Sequence, residues 1–199
     1  MQPLKPKAIL FYQGDPAKNY FWVKQGTLKL SQVTKDGKEI TLRYISPGDM
    51  TAALAVMKQK EYPVTAQAME PSTVVAWNRS QILKIMEKFP RVTINALSIV
   101  LERLDDMQIR YMELCTQQVE QRIARTLMRF VRTSGKKEAN GICIDIPLSR
   151  KDIAEYIGTT LFTVSRVLSL WEKKGWVKTR KGQIIILEPH KIVEFSEEI

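Results

Sequence analysis

The fold is decided by residues 148–168, which read Leu148-Ser149-Arg150-Lys151-Asp152-Ile153-Ala154-Glu155-Tyr156-Ile157-Gly158-Thr159-Thr160-Leu161-Phe162-Thr163-Val164-Ser165-Arg166-Val167-Leu168. Ser149 has the side chain of a helix N-cap. Asp152, three residues on, adds a carboxylate where the helix N-terminus favours one. Ile153, Ala154 and Ile157 recur at helical spacing and supply an inner face. Gly158 then ends the helix, as expected of a C′ residue that needs positive φ. Thr160 caps a second helix, expected from Leu161 to Lys174 and stopped by Gly175, with Val164, Val167, Leu168 and Trp171 facing inward. Two short helices joined by a glycine-containing turn form a helix-turn-helix.

Downstream, Trp176-Val177-Lys178-Thr179 and Gln183-Ile184-Ile185-Ile186-Leu187 alternate as strands around Arg180-Lys181-Gly182. This predicts a hairpin with a basic tip, so the motif is winged. Charge concentrates here. The chain carries a formal net charge of +10 over 199 residues. Residues 149–182 contribute eight basic and three acidic side chains, +5 in 34 residues. A basic tip beside a helix suited to a major groove points to double-stranded DNA. A small domain that only docks protein is the alternative.

Each outward residue has its own chemistry. Arg166 can offer a bidentate fork to guanine O6 and N7. Phe162 and Thr163 can present apolar groups to a thymine methyl, and Ser165 can reach a base or a phosphate. Ser149, Arg150, Thr159, Thr160, Arg180 and Lys181 suit the phosphate backbone, which fixes position without specifying sequence.

Upstream of Ser149, residues 116–199 open with an amphipathic helix carrying Val119, Ile123, Leu127 and Phe130. A polar loop at 134–141 and a short strand at 142–146 follow it. Residues 90–115 form a longer helix started by Pro90. Its apolar positions Ile94, Leu97, Leu101, Leu104 and Tyr111 are spaced by three and four, with Gln108 in the same series. Two arrangements fit: a helix lying on its own domain, or a heptad seam joining two copies. The seam is narrow and flanked by Glu102, Arg103, Asp105, Asp106 and Arg110, which favours the homodimer. A lone Gln in such a seam fixes register. The break near 114–117 is expected to be the hinge.

Residues 1–89 read as β-rich. Tyr20–Val23, Thr27–Leu30, Leu30–Val33, Ile40–Ile45, Val64–Ala68 and Thr73–Trp77 are short strand-like runs. Asp36-Gly37 between two of them signals a hairpin of type I′, whose central residues both need positive φ. Strands at this spacing suggest a small antiparallel barrel or roll. Ser80 is placed to cap a short helix ending at Lys88. The fold class is thus α+β: an antiparallel β-roll, a long helix and a winged helix-turn-helix.

Composition narrows the function. The chain has two cysteines, Cys115 and Cys143, and one histidine, His190. Four-ligand zinc or iron–sulfur centres and a Ser-His-Asp triad therefore lack parts, and no paired-carboxylate motif stands out, so an enzyme is not expected. No metal or cofactor is predicted. Cys115 continues the helix seam. It is either a buried structural thiol, the reading favoured, or a redox switch. No apolar run approaches a membrane span, and the apolar run after residue 7 is too short for a signal-peptide core, so a cytoplasmic protein is expected.

The order of parts resembles the bacterial CRP/FNR superfamily of transcription regulators, named after the cyclic-AMP receptor protein and the fumarate–nitrate reduction regulator. The resemblance covers nearly the whole chain. It is most specific over residues 148–168 and again from Phe11-Tyr12-Gln13-Gly14-Asp15 through Val23-Lys24-Gln25-Gly26. It implies a homodimer on a two-fold symmetric operator that activates transcription through contact with RNA polymerase. Two departures stand out. Cyclic-nucleotide members hold the phosphate with a Gly-Glu pair and a following Arg-Ser or Arg-Thr. Here Ala52-Ala53-Leu54-Ala55 and Tyr62-Pro63 stand there, with no arginine between Arg43 and Arg79. Cyclic AMP is therefore not expected to bind by the usual contacts. Many members also begin the recognition helix with Arg-Glu or Val-Glu, where this chain has Leu161-Phe162. The cysteine cluster of the fumarate–nitrate branch has no counterpart. Another small molecule, haem or no ligand remain open for the sensor.

Overall fold

The computed structural model describes residues 1–180 and 182–197. It divides into two compact units, Met1–Met112 and Glu113–Ile199. The long helix therefore forms no unit of its own; most of it belongs to the first and its last turn to the second.

The first unit begins with strands β1 (Gln2–Leu4), β2 (Ile9–Phe11), β3 (Asn19–Gln25), β4 (Leu28–Val33), β5 (Glu39–Ile45) and β6 (Met50–Thr51). Helix α1 (Ala53–Met57), strands β7 (Thr65–Ala68) and β8 (Ser72–Asn78), and helices α2 (Arg79–Lys88) and α3 (Pro90–Thr116) follow. The strands make two four-stranded antiparallel sheets, ordered β1-β8-β3-β6 and β2-β7-β4-β5. Side chains alternate along each strand, so Phe21, Val23, Leu28, Ile45, Ala66 and Val74 meet in the core. This is the β-roll read from the sequence.

Two local details differ from the sequence reading, and a third adds to it. The β4–β5 hairpin is not type I′. Gly37 donates to the Thr34 carbonyl at 2.9 Å, and of the turn residues only Gly37 has positive φ, at 77°. The longer loop absorbs the strand twist with one left-handed residue instead of two. Helix α2 is capped by Asn78, not Ser80. The Asn78 side chain accepts from the Gln81 amide at 2.9 Å while Gln81 Oε1 accepts from the Asn78 amide at 2.9 Å. Asn-x-x-Gln closes a reciprocal box that Ser80 cannot form with Leu83 three residues on. Third, Ala52 sits in the left-handed region at φ 67° ahead of α1. That conformation costs an alanine about 1 kcal/mol or more.

Helix α3 has two different faces. Arg103 donates to the Met50 carbonyl and Arg110 to the Leu42 carbonyl, each at 2.7 Å, tying one face to the roll. Burial lowers the Arg103 pKa, and neighbouring Arg43 adds to the effect while Asp49 opposes it. Ile94, Leu97, Leu101, Leu104 and Tyr111 lie on the other side and are about half exposed or more. Gln108 is exposed in the same row.

The second unit contains α4 (Val119–Ser134), β9 (Gly135–Glu138), β10 (Gly141–Ile144), α5 (Arg150–Ile157), α6 (Leu161–Lys173), β11 (Val177–Arg180), β12 (Gln183–Ile186) and α7 (Pro189–Glu197). Its sheet runs β11-β12-β10-β9, all antiparallel. The expected polar loop at 134–141 is in fact strand β9 and a tight turn. All four β9 residues are exposed, so no alternation marked the strand. Pairing with β10, from Gly135↔Ile144 to Glu138↔Gly141, defines it instead. The core joins Ile123, Leu127 and Phe130 of α4 to Ile153, Val164, Leu168 and Trp171. Helix α7 closes one side, with Phe195 edge-on to Trp171 at 5.6 Å between centroids. Cys143 is buried here, whereas Cys115, in the helix row expected to join two copies, is exposed in the single chain.

Candidate nucleic-acid interface

The helix pair is set by its caps. Ser149 Oγ accepts from the Asp152 amide at 3.1 Å, and Asp152 accepts in return from the Ser149 amide at 3.0 Å. Gly158 ends α5 in the left-handed region at φ 70°, which turns the chain sharply without the clash a Cβ would bring. Thr160 then caps α6, accepting from the Thr163 amide at 3.1 Å, and the two hydroxyls lie 2.9 Å apart. Both caps satisfy helix amides that would otherwise be orphaned.

On α6, Val164, Val167, Leu168 and Trp171 are buried as their spacing predicted. The outward row begins with Leu161 and Phe162, the latter 79% exposed. Arg166 follows one turn later, its side chain 64% exposed. Thr163 and Ser165 are half-buried beside them. A helix of this length spans about 20 Å and fits a major groove about 12 Å wide.

Arg150 is engaged inside the unit. Its guanidinium donates to Ser169 Oγ at 3.0 Å and to the Ser165 carbonyl at 3.4 Å, and it pairs with Glu172 at 2.9 Å. Glu172 also accepts from the Thr179 amide at 3.1 Å. One arginine–glutamate pair thus links α5, α6 and the first wing strand, a role the sequence reading did not give Arg150. Thr159 is half-buried in the turn between the helices.

The wing is β11 and β12, paired from Val177↔Ile186 to Arg180↔Gln183. Arg180 is exposed at its end and reaches Glu138 at 3.3 Å. Lys181 lies outside the described residues. The Gly182 carbonyl accepts from the Leu148 amide at 3.0 Å, holding the wing against the segment that enters α5. A second acid escaped the sequence reading. Glu120, in the first turn of α4, contacts Arg166 at 3.3 Å across 46 positions of sequence. No local pattern could signal it.

In the first unit, Tyr62 of the stretch that stands in place of the cyclic-phosphate motif is engaged by the chain's own residues. Tyr62 is buried, its ring stacked on Phe11 at 4.0 Å between centroids. Its hydroxyl accepts from the Asn19 amide at 3.1 Å and donates to the Asn19 carbonyl at 3.0 Å. Among the described residues, no group of three or more His, Cys, Asp or Glu could hold a metal ion, and no helix is long and apolar enough to cross a membrane.

Together these elements define a two-part architecture, an antiparallel β-roll followed by a winged helix-turn-helix. Residues 1–89 match the family model of the cyclic nucleotide-binding domain, and residues 121–195 match that of the Crp-like helix-turn-helix domain. The chain is 28% identical over 190 residues to the transcriptional activator protein Anr of Pseudomonas aeruginosa, covering 94% of this chain and 76% of that one. It is 25% identical over 187 residues to the cyclic AMP receptor protein of Thermus thermophilus, covering 94% and 83%. The structure of FixK2 from Bradyrhizobium japonicum shares the fold, with a TM-score of 0.85 at 21% identity, covering 100% of this chain and 97% of that one. The chain belongs to the CRP/FNR family of transcription regulators, which are not enzymes.

Proposed function

We propose that the protein is a homodimeric, sequence-specific DNA-binding regulator that recognises a two-fold symmetric operator and activates transcription through contact with RNA polymerase. In this reading residues 1–89 are the sensor, 90–115 the dimerisation helix and 116–199 the DNA-binding domain. The observation that carries it is the outward row of α6, where Phe162 and Arg166 stand exposed on a helix locked by Ser149, Gly158 and Thr160. Arg166 reads a guanine. Phe162 reads a thymine methyl, and Thr163 adds its own methyl because its hydroxyl is engaged by Thr160. Ser165 contributes a hydrogen bond beside them. Ser149, Thr159, Thr160, Arg180 and Lys181 position the phosphate backbone, while Arg150 braces the helix pair.

Leu161-Phe162 in place of Arg-Glu or Val-Glu gives the operator its own character. No carboxylate is present there to accept from a cytosine N4 amine, so a thymine is favoured at that position. Selection of bound duplexes from a random pool tests the proposal. A two-fold symmetric consensus is expected, and replacing its thymines by deoxyuridine should weaken binding at one symmetric pair of positions. Purified RNA polymerase on a template carrying that consensus should then make more transcript when the protein is added. Failure to select any symmetric duplex would overturn the proposal in favour of a domain that docks protein.

The sensor does not take cyclic AMP by an arginine–phosphate contact. Tyr62 supplies no charge, and both hydrogen-bonding roles of its hydroxyl are taken by Asn19. Cyclic AMP at millimolar concentration should leave the melting temperature and operator affinity unchanged.

A further inference from the structure

We infer that Glu120 is a specificity-determining residue, acting on the DNA-reading Arg166 as an anionic competitor for phosphate; this rests on the proposed role of Arg166. Glu120 lies in the first turn of α4, where a carboxylate is favoured by the exposed helix amides. Those amides do not hold it alone, because Gln121 takes over the capping role, its side chain accepting from the Gln118 amide at 3.1 Å. One Glu120 oxygen instead meets Arg166 Nη2 at 3.3 Å. The Glu120 side chain is 30% exposed and that of Arg166 64% exposed. The pair therefore sits at the surface, where it can break and re-form.

The contact uses one nitrogen of the arginine fork. Other N–H donors remain for a second acceptor, which suits a neutral base edge better than an anion. A guanine brings O6 and N7 but no charge. A phosphate brings a full negative charge to within reach of the carboxylate. Glu120 therefore penalises Arg166 when it binds backbone far more than when it reads guanine. Non-specific binding is almost wholly a phosphate term, whereas specific binding adds base contacts. The carboxylate thus lowers affinity for non-operator DNA more than for the operator. Arg125 and Arg129 are turned to Glu113 and Arg180 to Glu138, so none of these three pairs involves Glu120.

The test compares wild type with Glu120→Gln, an isosteric change in a partly buried first turn. The full-length protein is titrated against the selected operator and against a scrambled duplex of equal length and base composition, over a range of salt. Expected is about fivefold tighter binding to the scrambled duplex at physiological salt, little change at the operator, and a salt slope for the scrambled duplex steeper by about one ion. In an Arg166→Ala background the same substitution should change neither affinity nor slope. Unchanged slope and unchanged operator preference in Glu120→Gln overturn the inference while leaving DNA recognition intact. An equal gain on both duplexes, or a gain that persists without Arg166, also overturns it, since a general charge effect would do either. If wild type binds neither duplex, the proposed function and this inference fall together.

Discussion

Arg166 and Arg150 look alike in the sequence, and the structure separates them. Arg166 projects from the outer row of α6, whereas Arg150 is held among Ser165, Ser169 and Glu172. Arg166→Ala should lower operator affinity by about 5- to 150-fold and relax selectivity at one symmetric position, as read by anisotropy titration on base-substituted duplexes. Arg150→Ala should behave differently. It removes the hydrogen bonds that tie α5 to α6, so stability falls by about 1 kcal/mol after allowance for partial exposure, and the unfolding midpoint falls with it. The salt slope of DNA binding should stay as in wild type, where loss of a phosphate contact would reduce it by about one. Cys143 gives a third residue-level outcome. Burial raises its thiol pKa, and the Glu138 and Asp145 carboxylates add to this while Arg180 opposes it. The folded state then holds the thiol proton more tightly than the unfolded chain. Stability present below the unfolded thiol value, about 8.5, is lost as pH rises through the folded value. Melting followed by circular dichroism should show a steeper alkaline decline in wild type than in Cys143→Ala, whatever their difference at neutral pH.

At the scale of elements, what was legible follows from how far apart the interacting residues lie in sequence. Ser149 with Asp152, Thr160 with Thr163, and Gly158 act across three residues or fewer, so pattern alone located the helix pair and its turn. The buried row of α6 was equally legible, because its period repeats within one helix. Strand β9 was not, because its exposed Gly-Lys-Lys-Glu side chains carry no alternation and pairing with β10 alone defines it. The same limit hid Glu113. It is buried at the end of α3, and Arg125 and Arg129 of α4 both bond its carboxylate. Neutralising such a carboxylate leaves both cations without their anion, although Arg125 still donates to the Ser196 carbonyl. Glu113→Gln should therefore lower stability by about 1–3 kcal/mol, less than for a fully dry pair because Arg125 is more than a third exposed. Chemical denaturation should show the loss, and Glu113→Asp should recover only part of it, since a shorter side chain reaches the two arginines less well.

For the whole molecule, the question is what covers the outer face of α3. A monomer seldom leaves so long an apolar row in water. Ile94, Leu97, Leu101, Leu104 and Tyr111 are all about half exposed or more, and Val100 and Met107 widen the row. The opposite face is already committed, through Arg103 and Arg110, to the roll. Periodicity made the row legible; it could not tell which face the roll would occupy, because those contacts run to backbone carbonyls 53 and 68 positions away. A second copy of the same helix, placed about a two-fold axis, would bury the row against itself. If α3 forms that seam, Leu104→Glu puts a charge into it and should give a monomer in sedimentation velocity where wild type is a dimer. Because each wing and recognition helix would then bind its half-site alone, the gain from linking two sites disappears. Affinity for the full operator should drop by about 10²- to 10⁴-fold while half-site affinity is unchanged. Gln108→Leu should act oppositely, strengthening the seam while loosening its register, so that a tighter dimer reads the operator spacing less strictly. A Leu104→Glu protein that still sediments as a dimer, with operator affinity intact, would move the dimer interface off α3 altogether.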